Sequence, residues 1–140
     1  MGEQQERNKR MVRRFIDGYQ TGGDPAVLEE LLAPDVVDHS ALPGFPPGRE
    51  GVGQLFGMFR QAFPDFRAEI LDQMADGDKV ITRKAFLGTH RGPFMGVPAT
   101  GQSVRFELID IVRLEDGRIV EHWNVVDQLG LMRQLGAIPA

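Results

Sequence analysis

From Glu6 onward the apolar residues Val12, Phe15, Ile16 and Tyr19 recur at i, i+3, i+4 and i+7, with Arg10, Arg13, Arg14 and Asp17 mostly on the other side. That spacing predicts an amphipathic helix ending at Gly22-Gly23. Asp24-Pro25 supplies an N-cap and a first-turn proline for a short second helix, with Leu28, Leu31 and Leu32 inward and an end near Ala33-Pro34. Asp35 to Ser40 is short and β-branched, so it reads as an extended edge leading into a proline-rich loop, Ala41 to Gly48. Val52, Leu55, Phe56, Phe59 and Phe63 then restore the helical stripe. Gly51, Gly53 and Gly57 each cost this third helix up to about 1 kcal/mol, which burial of the Phe-rich face must offset. Small residues here also suit a close approach of helix to sheet.

The period then changes to two. Phe66, Ala68 and Ile70 alternate with Arg67 and Glu69, Asp76-Gly77 marks a turn, and Val80 to His90 is a second strand-like run. A loop from Arg91 to Gly101 precedes the run Ser103 to Leu114, a turn at Asp116-Gly117, and a last strand, Arg118 to Gln128. A short helix, Leu129 to Leu135, stops at Gly136. Helices first and a meander of strands afterwards predict one α+β domain spanning residues 1–140: three N-terminal helices on a curved antiparallel sheet, with a short C-terminal helix. Such a sheet encloses a pocket between its concave face and the helices, and leaves its other face free to dimerise.

The chain has 140 residues, 16 Lys+Arg against 20 Asp+Glu, a net charge of −4 and no cysteine. Net acidity, with one basic cluster from Arg7 to Arg14 on a helix side, leaves little footprint for nucleic acid. No apolar run approaches the roughly 18 to 20 residues of a membrane span, and no apolar signal core precedes the first helix, so no membrane partner is expected. Zero cysteines exclude disulfides and thiol chemistry and fit a cytoplasmic setting.

One side of the run Ser103 to Leu114 carries Val104, Phe106, Leu108, Asp110 and Val112. A carboxylate in that apolar row is expected to be desolvated, with a raised pKa, and reads as a general base. The competing reading is a structural Asp satisfied by a neighbouring strand or loop. His122 and Asn124 share a side of the last strand and would meet the Asp110 row across the Asp116-Gly117 hairpin. Trp123 points the other way, toward packing or a dimer face. Asp127 sits where a strand end or bulge redirects it. Asp38 and His39 close the pocket mouth or cap the turn, and His90 orders its loop or touches substrate. Phe59, Phe106 and Leu108 are the expected apolar lining. The histidines at 39, 90 and 122 have no metal-ligand spacing, so no metal is expected. The nucleotide-binding G-x-x-x-x-G-K and the G-x-S-x-G elbow are also missing.

The segments GTHRGPFMGVPATG (88–101), DGRIVEHW (116–123) and LGLMRQLG (129–136) resemble the SnoaL-like polyketide (ester) cyclase family. The opening helix, Pro34-Asp35-Val36-Val37-Asp38-His39 and the Phe-rich helix fall in family order. The resemblance implies a nuclear transport factor 2-like cone, usually dimeric, with a mostly apolar pocket. It also implies cofactor-free intramolecular aldol closure of a polyketide ester by carboxylate acid/base chemistry. His122 matches the family's last-strand histidine. The family's acid/base Asp, two residues on, is Asn124 here. Either Asp110, which matches a polar pocket position, or Asp127 or Asp38 takes over, or this member does different chemistry or none. Asn124 retains a donor for an enolate or carbonyl. The epoxide-hydrolase pattern of related proteins wants an Arg where Leu108 stands. A non-catalytic protein binding a small hydrophobic ligand, or a hydroxylase- or isomerase-like member, are the alternatives.

Overall fold

The computed structural model describes residues 2–139. Helix α1 (Gly2–Phe15) runs directly into a π-helical turn (Ile16–Thr21), so the one predicted helix changes its hydrogen-bond spacing in mid-course. Val12, Phe15, Ile16 and Tyr19 are buried as expected, and so is Gln20, which continues the Val12 and Ile16 row at i+4. Asp24 caps α2 (Pro25–Leu31) by accepting from the Ala26 N–H at 3.0 Å. The buried face of α2 is Val27 and Leu31, while Leu28 is half-buried. The helix stops at Leu31, earlier than expected, because Pro34 disfavours helical backbone at Ala33. Leu32 is already extended and opens β1 (Leu32–Asp38).

Helix α3 (Gly48–Ala62) follows the proline-rich loop. Its Phe56 and Phe59 form an aromatic cluster with Phe66 and Phe86. The glycines do not serve a helix-to-sheet approach. A Cβ at Gly51 would come within 1.9 Å of the Pro46 carbonyl oxygen, so this one lets the loop fold back onto the helix; a Cβ at Gly57 would meet nothing within 4 Å.

Strands β2 (Arg67–Asp76), β3 (Lys79–Thr89), β4 (Ser103–Glu115) and β5 (Arg118–Val126) form the antiparallel meander, followed by α4 (Gln128–Gln134). Asp116 (φ 51°) and Gly117 (φ 78°) both take positive φ, the geometry of a two-residue hairpin turn matched to strand twist. The sheet order is β1-β5-β4-β3-β2. Edge strand β1 joins β5 in parallel, through Asp38 opposite His122. That pairing is invisible to local periodicity, and it brings a third strand to the site.

Candidate active site

Register sets the arrangement. Across β4 and β5, Asp110 faces Asn124 and Val112 faces His122; across β3 and β4, Thr82 faces Asp110. These side chains project from the concave face into a cavity of about 140 Å³, walled by Phe56, Phe59, Phe86, Phe106, Leu108 and Leu131. Its polar members include Gln20, Asp38, Ser40, Lys84, Asp110, His122 and Asn124.

At the centre lies a chain of four charged groups. His122 Nε2 is 2.6 Å from Asp110 Oδ1, and His122 Nδ1 is 2.9 Å from Asp38 Oδ1. Asp110 Oδ2 is paired with the ammonium of Lys84, which also donates to Gln20 Oε1 at 2.9 Å. Lys84 is only 2% exposed, and its Nζ lies 5.2 Å from the Phe86 ring centre. Asp38 Oδ1 accepts a further bond from the Ser40 N–H at 3.0 Å, and Ser40 in turn bonds the Asn124 backbone.

Charge pairing overrides burial throughout this chain. Desolvation pushes Asp110 upward, but the Lys84 ammonium and the His122 hydrogen bond outweigh it and hold the carboxyl at about 2. Burial lowers His122, but its bonds to Asp110 and Asp38 win and raise it to about 9. Burial also opposes Asp38, whose carboxyl is nevertheless held below its ordinary value by His122 and the Ser40 N–H. At neutral pH the charges of Lys84, Asp110, His122 and Asp38 therefore cancel. The expected upward shift of Asp110 is corrected: the carboxylate is desolvated yet stays ionised, because a buried cation stands beside it.

Asp110, His122, Asn124, Asp38, Phe59, Phe106 and Leu108 all reach the cavity. Three expected pocket residues do not line it. His39 points to the opposite sheet face, where it contacts Glu121 at 2.8 Å and stacks on Trp123 at 4.7 Å. His90 is fully buried beside the Phe63 ring. Its Nδ1 accepts from the Thr100 N–H at 3.2 Å and lies 2.9 Å from the Thr100 hydroxyl, ordering the loop. Asp127 caps α4 by accepting from the Gly130 N–H at 2.9 Å, because β5 ends at Val126.

Lys84 is the member of the charge chain that sequence reading missed. It shares strand parity with Val80, Thr82 and Phe86, and that embedding in an inward row was its signal. Among the described residues, no group of His, Asp and Glu is placed to hold a metal ion.

A curved sheet and helices enclosing a chain of paired charged groups define an α+β cone with an internal pocket. The model of the SnoaL-like polyketide cyclase family matches residues 9–135, and the chain belongs to that family. It is 33% identical over 131 residues to aklanonic acid methyl ester cyclase DnrD of Streptomyces peucetius, covering 90% of this chain and 88% of the relative. It is 29% identical over 127 residues to the nogalonic acid methyl ester cyclase of Streptomyces nogalater, covering 90% and 92%. Among solved structures, TsrD from Streptomyces laurentii is similar at a TM-score of 0.86, with 33% identity over 95% of this chain and 97% of that one. IdmH, a putative polyketide cyclase from Streptomyces antibioticus, gives 0.81 at 36% identity, covering 92% and 98%.

Proposed function

We propose that this protein closes a ring in a hydrophobic polyketide ester by a cofactor-independent, intramolecular aldol-type reaction. The observation that carries this reading is the carboxylate, imidazolium and carboxylate chain of Asp38, His122 and Asp110 inside an otherwise apolar cavity. A carbon flanked by two carbonyls loses its proton to one of these carboxylates. The resulting enolate carbon attacks a ketone carbon in the same molecule, a C–C bond forms, and the new alkoxide takes the proton back. No atoms are gained or lost, so product and substrate are isomers. His122, carrying positive charge, and the Asn124 amide stabilise the enolate oxygen. The Asn124 side chain is free to do so, because it makes no hydrogen bond among the described residues.

The test uses aklanonic acid methyl ester, the compound named for one relative. The expected result is a new chromatographic species of unchanged mass, lost in His122→Ala. Absence of any isomer with this ester and with nogalonic acid methyl ester would reject the reading. A second reading, ligand binding without ring closure, is favoured by Asn124 standing where the resemblance puts an Asp. Under it, the native chain binds these esters without converting them, and Asn124→Asp gains cyclase activity.

The outer sheet face presents Val37, Ile109 and Val125, the last 76% exposed, beside Trp123. The Arg83 to Glu107 and Arg113 to Glu121 ion pairs flank this patch. We assign it to a homodimer contact, since a patch of paired charges around an apolar centre suits a two-fold interface. No helix among the described residues is long and apolar enough to cross a membrane, and a cytoplasmic workplace is proposed on the absence of cysteine.

A further inference from the structure

The two carboxylates flanking His122 are not equivalent. Both oxygens of Asp110 are engaged, Oδ1 by His122 and Oδ2 by Lys84, and the residue is 6% exposed. Asp38 uses only Oδ1, which accepts from His122 and from the Ser40 N–H. Its Oδ2 has no hydrogen-bond partner among the described residues. Those two bonds fix the plane of the Asp38 carboxylate and leave the second oxygen's lone pairs available.

Asp38 also occupies the junction between two spaces. It lines the central cavity and a larger cleft of about 560 Å³ between β1, the proline-rich loop and α3. Val36, Ala41, Leu42, Val52 and Leu55 belong to both walls, so the spaces adjoin. Asp38 thus faces both spaces.

Resting on the cyclase reading above, we propose that Asp38, through Oδ2, is the catalytic carboxylate that removes and returns the proton. Asp110, locked by the buried Lys84, is a positioning residue that holds His122 in place. In the forward step the C–H bond breaks, its electron pair becomes the enolate, and the proton forms an O–H bond on Asp38 Oδ2. After C–C bond formation the same proton passes to the alkoxide, restoring the Asp38 carboxylate.

The experiment follows two readouts on full-length protein: turnover of aklanonic acid methyl ester, and enzyme-dependent deuterium uptake by its acidic carbon. Asp38→Asn is expected to lower kcat by about 10²- to 10⁴-fold, the range of a general base, with KM changed much less. Deuterium uptake falls in parallel. Formate added to Asp38→Ala restores turnover, whereas it does not restore Asp110→Ala. Melting curves confirm that each variant is folded, and the isosteric Asn variants serve if an Ala variant is not. The proposal is overturned if Asp38→Asn retains turnover and uptake within about threefold of wild type, well short of a general base's contribution, or if formate rescues position 110 instead. Wild-type protein that neither cyclises the ester nor exchanges its proton would reject the cyclase reading itself, and this assignment with it.

Discussion

Lys84→Met isolates the most consequential buried interaction. Methionine keeps most of the aliphatic stem against Phe86 and removes the ammonium, leaving Asp110 Oδ2 and Gln20 Oε1 without their donor. Breaking a buried pair from one side typically costs about 3–5 kcal/mol when the remaining charge is left uncompensated; His122 still faces Asp110, so the lower end, about 3 kcal/mol, applies here. That is a large part of the roughly 5–15 kcal/mol that holds a domain together. For a chain of this size it corresponds to a fall in Tm of roughly 10 °C. Urea unfolding followed by tryptophan fluorescence measures the loss through Trp123. The double variant Lys84→Met/Asp110→Asn separates charge from packing: with the half-compensated anion removed, it should be more stable than Lys84→Met alone. A coupling of at least about 2 kcal/mol is expected in the cycle. Lys84→Met within about 1 kcal/mol of wild type, or strict additivity in the double variant, would refute a desolvated and mutually dependent pair.

Stability should also follow pH in a defined way. His122 is raised from 6.5 to about 9, so its contribution is complete below 6.5 and disappears as pH climbs through 9. By linkage that contribution is about 3 kcal/mol. Asp110 is lowered from 3.8 to about 2, so its share is present above 3.8 and is lost as pH falls through 2. Urea midpoints should therefore be highest between these limits and fall from pH 7 to 10, and His122→Gln should flatten the alkaline fall. Gly51→Ala, which drives a Cβ against the Pro46 carbonyl, should cost roughly 1–3 kcal/mol. Gly57→Ala, whose Cβ meets nothing, should gain up to about 1 kcal/mol in the same unfolding assay. Val125→Glu should yield monomer in sedimentation velocity if the outer face pairs two copies, while leaving the melting temperature of a monomeric wild type nearly unchanged.

How much of this was legible depended on how far apart in the chain the interacting residues lie. The hairpin joining β4 and β5 is local, its Asp116-Gly117 turn fixes register, and alternation then places Asp110, His122 and Asn124 on one wall. Asp38 reaches the same wall only because β1 pairs in parallel with β5 after a long crossover, which no periodicity encodes. His39, its neighbour, accordingly went to the other face, since adjacent strand residues alternate. The apolar row around Asp110 correctly signalled burial, but the direction of its ionisation turned on Lys84 one strand away. Asp127 is redirected by a strand end, as its position suggested: β5 stops one residue before it, and the side chain caps α4 rather than entering the cavity.

The neutral charge chain has a chemical consequence of its own. A carboxylate held ionised in an apolar pocket by a neighbouring cation is a weak base, and its conjugate acid is a far stronger acid than a carbon between two carbonyls. Such a group removes that proton at a useful rate only if the enolate gains comparable stabilisation from the same surroundings. Here His122 bears the positive charge between the two carboxylates, and Asn124 offers an unengaged amide. In the proposed step Asp38 takes the proton and loses its negative charge. The imidazolium then faces one anion fewer among the protein groups, and the enolate oxygen supplies the missing one. Charge balance is thus preserved across the step without reorganising water. Lys84 donates no proton in the proposed step; it occupies Asp110 Oδ2 and leaves Oδ1 to hold His122.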